Sequence, residues 1–111
     1  MLNQLALVGR LVRDIEIRES DAGKKYSNIT LAVPRSFKNI DGVYETDFID
    51  CTLWDAMAKN ALEYCKSGDI IAIKGRLQSS KYEKDNKMHY KLNVIAEKIT
   101  FLSSNKNKET D

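Results

Sequence analysis

A single helical stripe interrupts an otherwise alternating chain, and its position narrows the fold more than any other feature. Met57, Ala58, Ala61, Tyr64 and Cys65 recur at helical spacing within Ala56 to Lys66. That spacing predicts an amphipathic helix whose stripe is core rather than a ligand site. Asp55 stands where a capping side chain belongs, and Lys66 and Gly68 close the segment. Three segments before the helix, and two after it, alternate between apolar and polar residues, which is the pattern of strands with one face inward.

The first strand is expected from Leu2 to Arg13, with Leu5, Leu7 and Leu11 on one face and Ala6, Val8, Arg10 and Val12 on the other. Gly9 in its middle predicts a bend. Asp14 to Glu19 extends this strand, and Asp21-Ala22-Gly23 turns it. Ser27 to Val33 forms the second strand, with Ile29, Leu31 and Val33 inward, and Pro34 ends it. A polar connection with a hairpin tip at Asp41-Gly42 leads to the third strand, Thr46 to Trp54. After the helix, Asp69 to Gln78 places Ile71, Ile73, Gly75 and Leu77 on one face and Lys74, Arg76 and Gln78 on the other, and the alternation continues to Tyr82. Lys84 to Lys87 is a hairpin tip, and Tyr90 to Leu102 is the last strand. Its apolar phase shifts from Leu92, Val94 and Ala96 to Ile99 and Phe101, which predicts a bulge near Glu97-Lys98. Three strands, one helix and two strands predict an all-β fold with one helix: a five-stranded Greek-key barrel of the OB type, the helix between strands 3 and 4. The chain has 111 residues, enough for one such domain. Residues 1–103 are assigned to it, and 104–111 to a short polar tail expected to be disordered.

No catalytic constellation stands out, and no cofactor is expected. The single histidine, His89, lies far from Cys51 and Cys65, and the two cysteines form no Cys-x-x-Cys pair, so a zinc site lacks ligands. Buried, reduced thiols are the default in a cytosolic chain. Arg10 and Arg13 interrupt the first apolar stretch well short of a membrane span, and no leader pattern precedes it, so a cytoplasmic protein without membrane partners is expected. The net charge is +2, from 18 basic and 16 acidic residues. Such a balance does not announce nucleic-acid binding; any such site must gather its cations on one face.

The third strand supplies the sharpest clue. Asp47, Ile49, Cys51 and Leu53 share the expected core face, while Thr46, Phe48, Asp50, Thr52 and Trp54 share the wetter one. Two large rings on a wet face are read either as a second packing layer or subunit interface, or as a platform for stacking exposed bases or sugars. Phe37 and Tyr82 add rings, and Arg10, Arg35, Lys38, Lys74, Arg76 and Lys81 add cations. Rings that stack bases and cations that follow phosphates are the two ingredients of sequence-tolerant single-strand binding. A protein-interaction module built on the same rings is the competing class.

Several segments then carry a resemblance covering residues 2–102: Leu7-Val8-Gly9-Arg10-Leu11, Asn28-Ile29-Thr30-Leu31-Ala32-Val33, Thr46 through Trp54, Lys66-Ser67-Gly68 and Lys74-Gly75-Arg76-Leu77-Gln78. Together they make the chain similar to the bacterial single-stranded DNA-binding protein family. The resemblance implies an OB-type subunit, assembled as a homotetramer, that wraps single-stranded DNA without sequence preference. It implies stacking at Phe37, Phe48, Trp54 and Tyr82, and a nucleoid-associated role in replication, recombination, repair or DNA uptake. Relatives carry more tryptophan at the stacking positions and more positive character where Glu19 and Asp55-Ala56 stand here. Family members usually end in an acidic, apolar tip that recruits partners. The tail here, with Lys106 and Lys108, has no such tip, so docking through it is not expected.

Overall fold

The computed structural model describes residues 1–103, so the expectation for the tail falls outside the described residues. The elements run β1 (Leu5–Leu11), β2 (Arg18–Glu19), β3 (Lys25–Lys38), β4 (Tyr44–Trp54), α1 (Ala56–Tyr64), β5 (Ile70–Lys84) and β6 (Lys87–Ser103). The two-residue β2 only borders the sheet, against Tyr26 and Lys25 of β3. The other five strands close into a barrel in the order β1-β5-β6-β4-β3 and back to β1. The helix therefore lies between the third and fourth barrel strands, or between β4 and β5 when β2 is counted. This is the expected OB-type architecture.

Two short seams complete the ring. β1 reaches β3 only through Arg10↔Ala32 and Leu11↔Leu31. β4 meets β6 in parallel through Cys51↔Val94 and Thr52↔Ile95. Gly9 sits where β1 bends from β5 across β3. A Cβ there would lie 2.9 Å from both the Ala32 carbonyl oxygen and Val33 Cγ2, so the bend needs the bare backbone. At Gly75 a Cβ would collide with the Ile95 carbonyl oxygen. Opposite it, Lys74 pairs with Lys98 but Gly75 pairs with Ala96, which leaves Glu97 as an extra residue on β6. This is the bulge the apolar phase shift predicted. Because the extra residue belongs to β6, β5 keeps its alternation from Lys74 to Tyr82.

The inward phases meet in one core of Leu11, Ile29, Leu31, Leu53, Ile71, Ile73 and Val94. Burying each such side chain contributes about 1.5–3 kcal/mol. Cys51 and Cys65 are buried free thiols. Burial, with smaller contributions from nearby carboxylates, pushes Cys51 up to about 12 and Cys65 up to about 11, so both stay protonated and unreactive at neutral pH.

Four local expectations are corrected. Pro34 does not end the second strand: β3 continues to Lys38, and Pro34 pairs with Thr46. β1 has left β3 beyond Ala32, so this stretch of β3 has a free edge where a missing N–H is tolerated. Asp14 to Glu19 does not extend the first strand; only Arg18–Glu19 is strand, and Ile15 turns inward to the core before it. Asp55 makes no side-chain cap. It holds a φ of 53° while its N–H donates to the Lys25 carbonyl at 2.8 Å. The helix stops at Tyr64 rather than Lys66, and Tyr64 is exposed against the Phe101 ring instead of packing in the core.

Candidate nucleic-acid interface

The outward face of β4 carries Phe48, Asp50, Thr52 and Trp54, and each side chain faces one from β3. Phe48 pairs with Ala32, Asp50 with Thr30, Thr52 with Asn28 and Trp54 with Tyr26. Cross-strand neighbours decide how open each ring is. Small Ala32 leaves Phe48 67% exposed, while Tyr26 half-covers Trp54, which is 37% exposed. The Tyr26 and Trp54 rings sit 5.1 Å apart at a tilt of 39°. Tyr26 was not among the candidate residues, although its phase with Asn28 and Thr30 already placed it on this face.

Between the rings the face is polar and tightly wired. Asn93 Nδ2 donates to Thr52 Oγ1 at 2.6 Å, and Thr52 donates to Asn28 Oδ1 at 3.0 Å. Arg13 donates to Thr30 Oγ1 at 2.9 Å, and Thr30 donates to Asp50 Oδ1 at 2.9 Å. These bonds fix the orientation of the amides and hydroxyls, so the surface between Phe48 and Trp54 is preorganised rather than loose.

The β5–β6 hairpin continues the same surface. Trp54, Arg76, Gln78 and Asn93 line one cleft, which joins the outward phase of β5 to that of β4. Further out, Tyr82 pairs with His89, and their rings stack at 5.3 Å and 21°. The hairpin turns at Asp85 and Asn86, with φ values of 54° and 61°. Positive φ at both central residues is the geometry of a two-residue turn whose twist matches its strands. In the sequence His89 stands out only as a lone histidine without metal-ligating partners; its position opposite Tyr82 depends on the β5–β6 register, which no local pattern states.

Some candidate residues gather here and others do not. Phe48, Trp54, Arg76 and Tyr82 share the outward surface, and Lys74 continues the same phase of β5. Arg76 lies 3.9 Å from Glu97, the bulged residue. Arg10 is also outward, beside Ala32, and its guanidinium donates to the Gly68 carbonyl at 2.6 Å. Phe37 is exposed at 63%, in the irregular register between Pro34 and Lys38, and the Lys38 amine lies 5.7 Å from the Tyr44 ring. Lys81 points away from Tyr82, on the other side of the hairpin, with its amine 5.9 Å from the Tyr90 ring.

Arg35 is held by two carboxylates. It donates to Glu45 at 2.6 Å and to Asp47 at 2.9 Å, on the side of β4 opposite Phe48. The hydrogen bond to Asp47, with the charges of Asp47 and Glu45, raises the Arg35 pKa. The same hydrogen bond holds the Asp47 carboxyl below its ordinary value. The pair masks the positive charge that the sequence offered at this position. Among the described residues there is no cluster of three or more His, Cys, Asp or Glu able to hold a metal ion, and no helix long and apolar enough to cross a membrane.

Comparison with known proteins places this geometry in context. The chain is 41% identical over 103 residues to single-stranded DNA-binding protein B of Bacillus subtilis, covering 92% of this chain and 91% of that protein. It is 42% identical over 108 residues to single-stranded DNA-binding protein 3 of Listeria innocua, covering 96% of this chain and 68% of that protein. Against single-stranded DNA-binding protein 1 of Streptococcus pyogenes the identity is 40% over 108 residues, covering 96% of this chain and 83% of that protein. Residues 2–102 match the single-strand binding protein family as a whole, and the chain belongs to that family.

Proposed function

We propose that the protein binds single-stranded DNA through the outward face of β4 and the β5–β6 hairpin. It acts without catalysis, covering unpaired DNA in the cytoplasm during replication, recombination, repair or uptake. The observation that carries this reading is that Phe48, Trp54 and Tyr82 remain open on one surface while the core is complete without them. Bases stack on these rings, at about 1–3 kcal/mol each. Phe37 extends the platform from the β3–β4 hairpin. Arg10, Lys38, Lys74 and Arg76 follow the phosphates; Arg35 and Lys81 join them only where the strand passes the outer sides of the two hairpins. Tyr26 and His89 back the Trp54 and Tyr82 rings. A duplex hides its base faces, so this surface selects unpaired strands.

Trp54 is the only tryptophan, so its emission reports the site directly. Titration with a thymidine homopolymer is expected to give strong, saturable quenching that a duplex of equal length does not give. Unchanged emission at saturating single strand would remove Trp54 from the site. The salt dependence of affinity separates this reading from a protein-docking module. Each phosphate contacted contributes a slope of roughly −0.7 in log K against log salt, and a protein interface resting on rings gives a much flatter line.

Assembly is part of the same proposal. Val8 is exposed on the outward face of β1 and Val12 just beyond its end, and Val8, Ala32, Pro34 and Ile70 line one largely apolar groove. Covering that face with a second β1 and pairing the resulting dimers gives a homotetramer around which a strand can wrap. Light scattering at micromolar protein is expected to report about four chains, and a stable monomer would sink the wrapping arrangement.

A further inference from the structure

The outer half of the β3–β4 hairpin leaves the barrel. β1 pairs with β3 only at Leu31 and Ala32, and β6 pairs with β4 only at Cys51 and Thr52. Among the described residues, Val33 to Lys38 and Tyr44 to Asp50 therefore have only each other as strand neighbours. Even that ladder is interrupted. Pro34 pairs with Thr46 and the next pair is Lys38 with Tyr44, so Arg35, Ser36 and Phe37 together stand opposite Glu45 alone. Extra residues on one strand break the ladder locally and bend it. Phe37 lies in this bulge and is 63% exposed. Neither regular pairing nor core packing fixes where its ring stands.

Side chains take over where the ladder fails. Arg35 Nη1 donates to Glu45 Oε2 at 2.6 Å, while its Nη2 and Nε reach the Asp47 carboxylate at 2.9 and 3.2 Å. On the far side of Phe37, Asn39 Nδ2 donates to Glu45 Oε1 at 3.4 Å. Asn39 Oδ1 also accepts the N–H groups of Asp41 and Val43, at 2.9 and 3.0 Å, which ties the hairpin tip to the same network. Glu45 is thus gripped by the residues two before and two after Phe37. Lys38, the other cation in this stretch, stays out of the network, with its amine beside the Tyr44 ring. A lone exposed ion pair contributes little, but a forked guanidinium joined to further hydrogen bonds fixes geometry.

We infer that Arg35 and Glu45 are positioning residues for Phe37. Their clamp spans the bulge, holds its shape in place of the missing ladder, and so presents the Phe37 ring in one place before a strand arrives. A ring already in place loses less conformational freedom when a base stacks on it. Any phosphate that Arg35 meets on the outer side of the hairpin is secondary to this role. The clamp sets the position of a ring and reads no base, so binding stays tolerant of sequence. This role rests on the proposed binding of single strands, with Phe37 as one of the stacking rings.

The test is a double-mutant cycle on a dye-labelled thymidine homopolymer, with affinity followed by anisotropy at fixed salt. Phe37→Ala is made in three backgrounds: wild type, Arg35→Lys and Glu45→Ala. In the wild type it is expected to lower affinity about 5- to 10-fold, the low end for one stacked base. In the two clamp variants, where the ring is no longer held, the same change is expected to cost about 2-fold or less. Long-range effects of altered charge fall on both members of each pair and cancel in the cycle. Arg35→Lys keeps the charge but loses the fork. A direct phosphate contact would survive that change, so loss of the Phe37 effect in this variant marks the clamp. All three side chains are exposed, and thermal melting checks that each variant is folded. A Phe37→Ala factor that is equal in all three backgrounds would overturn the positioning role and leave Arg35 and Glu45 as ties between strands. A wild type indifferent to Phe37→Ala would overturn it too, while leaving the reading at Phe48, Trp54 and Tyr82 in place. Failure of the wild type to bind the oligomer would overturn the proposed function first, and is seen before any variant is compared.

Discussion

Single residues carry more of this molecule than their size suggests, and Gly75 is the clearest case. The Ile95 carbonyl fills the space a side chain would occupy, and that carbonyl belongs to backbone held by the adjacent bulge. Gly75→Ala must push two paired strands apart. It is expected to destabilise the fold by about 1–3 kcal/mol or more, read as a lower midpoint in urea unfolding; a midpoint unchanged from wild type would mean that β6 yields freely there. The sequence placed Gly75 on the inward phase but gave no sign that a carbonyl crosses it, because the partner's bulge sets that contact. Phe48 and Trp54 were legible, since strict alternation along nine residues leaves them nowhere to go but outward. Arg35 and Lys81 were not legible as to side. Arg35 lies within the stretch where β3 and β4 lose register, and Lys81 is adjacent to Tyr82, so along a strand Lys81 and Tyr82 must face apart.

At the scale of elements, what was hard to read was where strands end rather than where they are. Strand ends depend on partners: Pro34 reads as a stop because a central strand excludes it, yet β3 has a free edge there. The β5–β6 hairpin likewise runs well beyond the residues that pack in the core, and lifts Tyr82 and His89 clear of the barrel. Its two-residue turn needs positive φ at Asp85, whereas proline fixes φ near −65°. Asp85→Pro is therefore expected to fray the tip and lower affinity for single strands about 5- to 10-fold. Melting temperature should move only slightly, because no core side chain lies near the turn. An equal fall in stability and binding would mean that the hairpin is welded to the barrel rather than projecting from it.

Across the whole molecule, the order of elements was readable because a single helix among alternating segments admits few closed arrangements. How the ring closes was not, since β1–β3 and β4–β6 pairs join segments distant in sequence and leave no local mark. Those two seams are each two residue pairs long, whereas β3–β4 and β5–β6 are long hairpins of neighbours in the chain. Bringing distant segments together loses chain entropy before contacts repay it, so folding is expected to begin in the hairpins and end at the seams. Leu11 lies in the β1–β3 seam and is fully buried. Leu11→Ala, at fixed protein concentration, is expected to speed unfolding by most of the stability it removes, about 2–5 kcal/mol in total, and to leave the refolding rate nearly unchanged. A refolding arm slowed in proportion would put the seam in the nucleus. If the seams do form last, they are also the first to part, and the barrel's route to opening is a latch at β1 rather than a melting of its sheets.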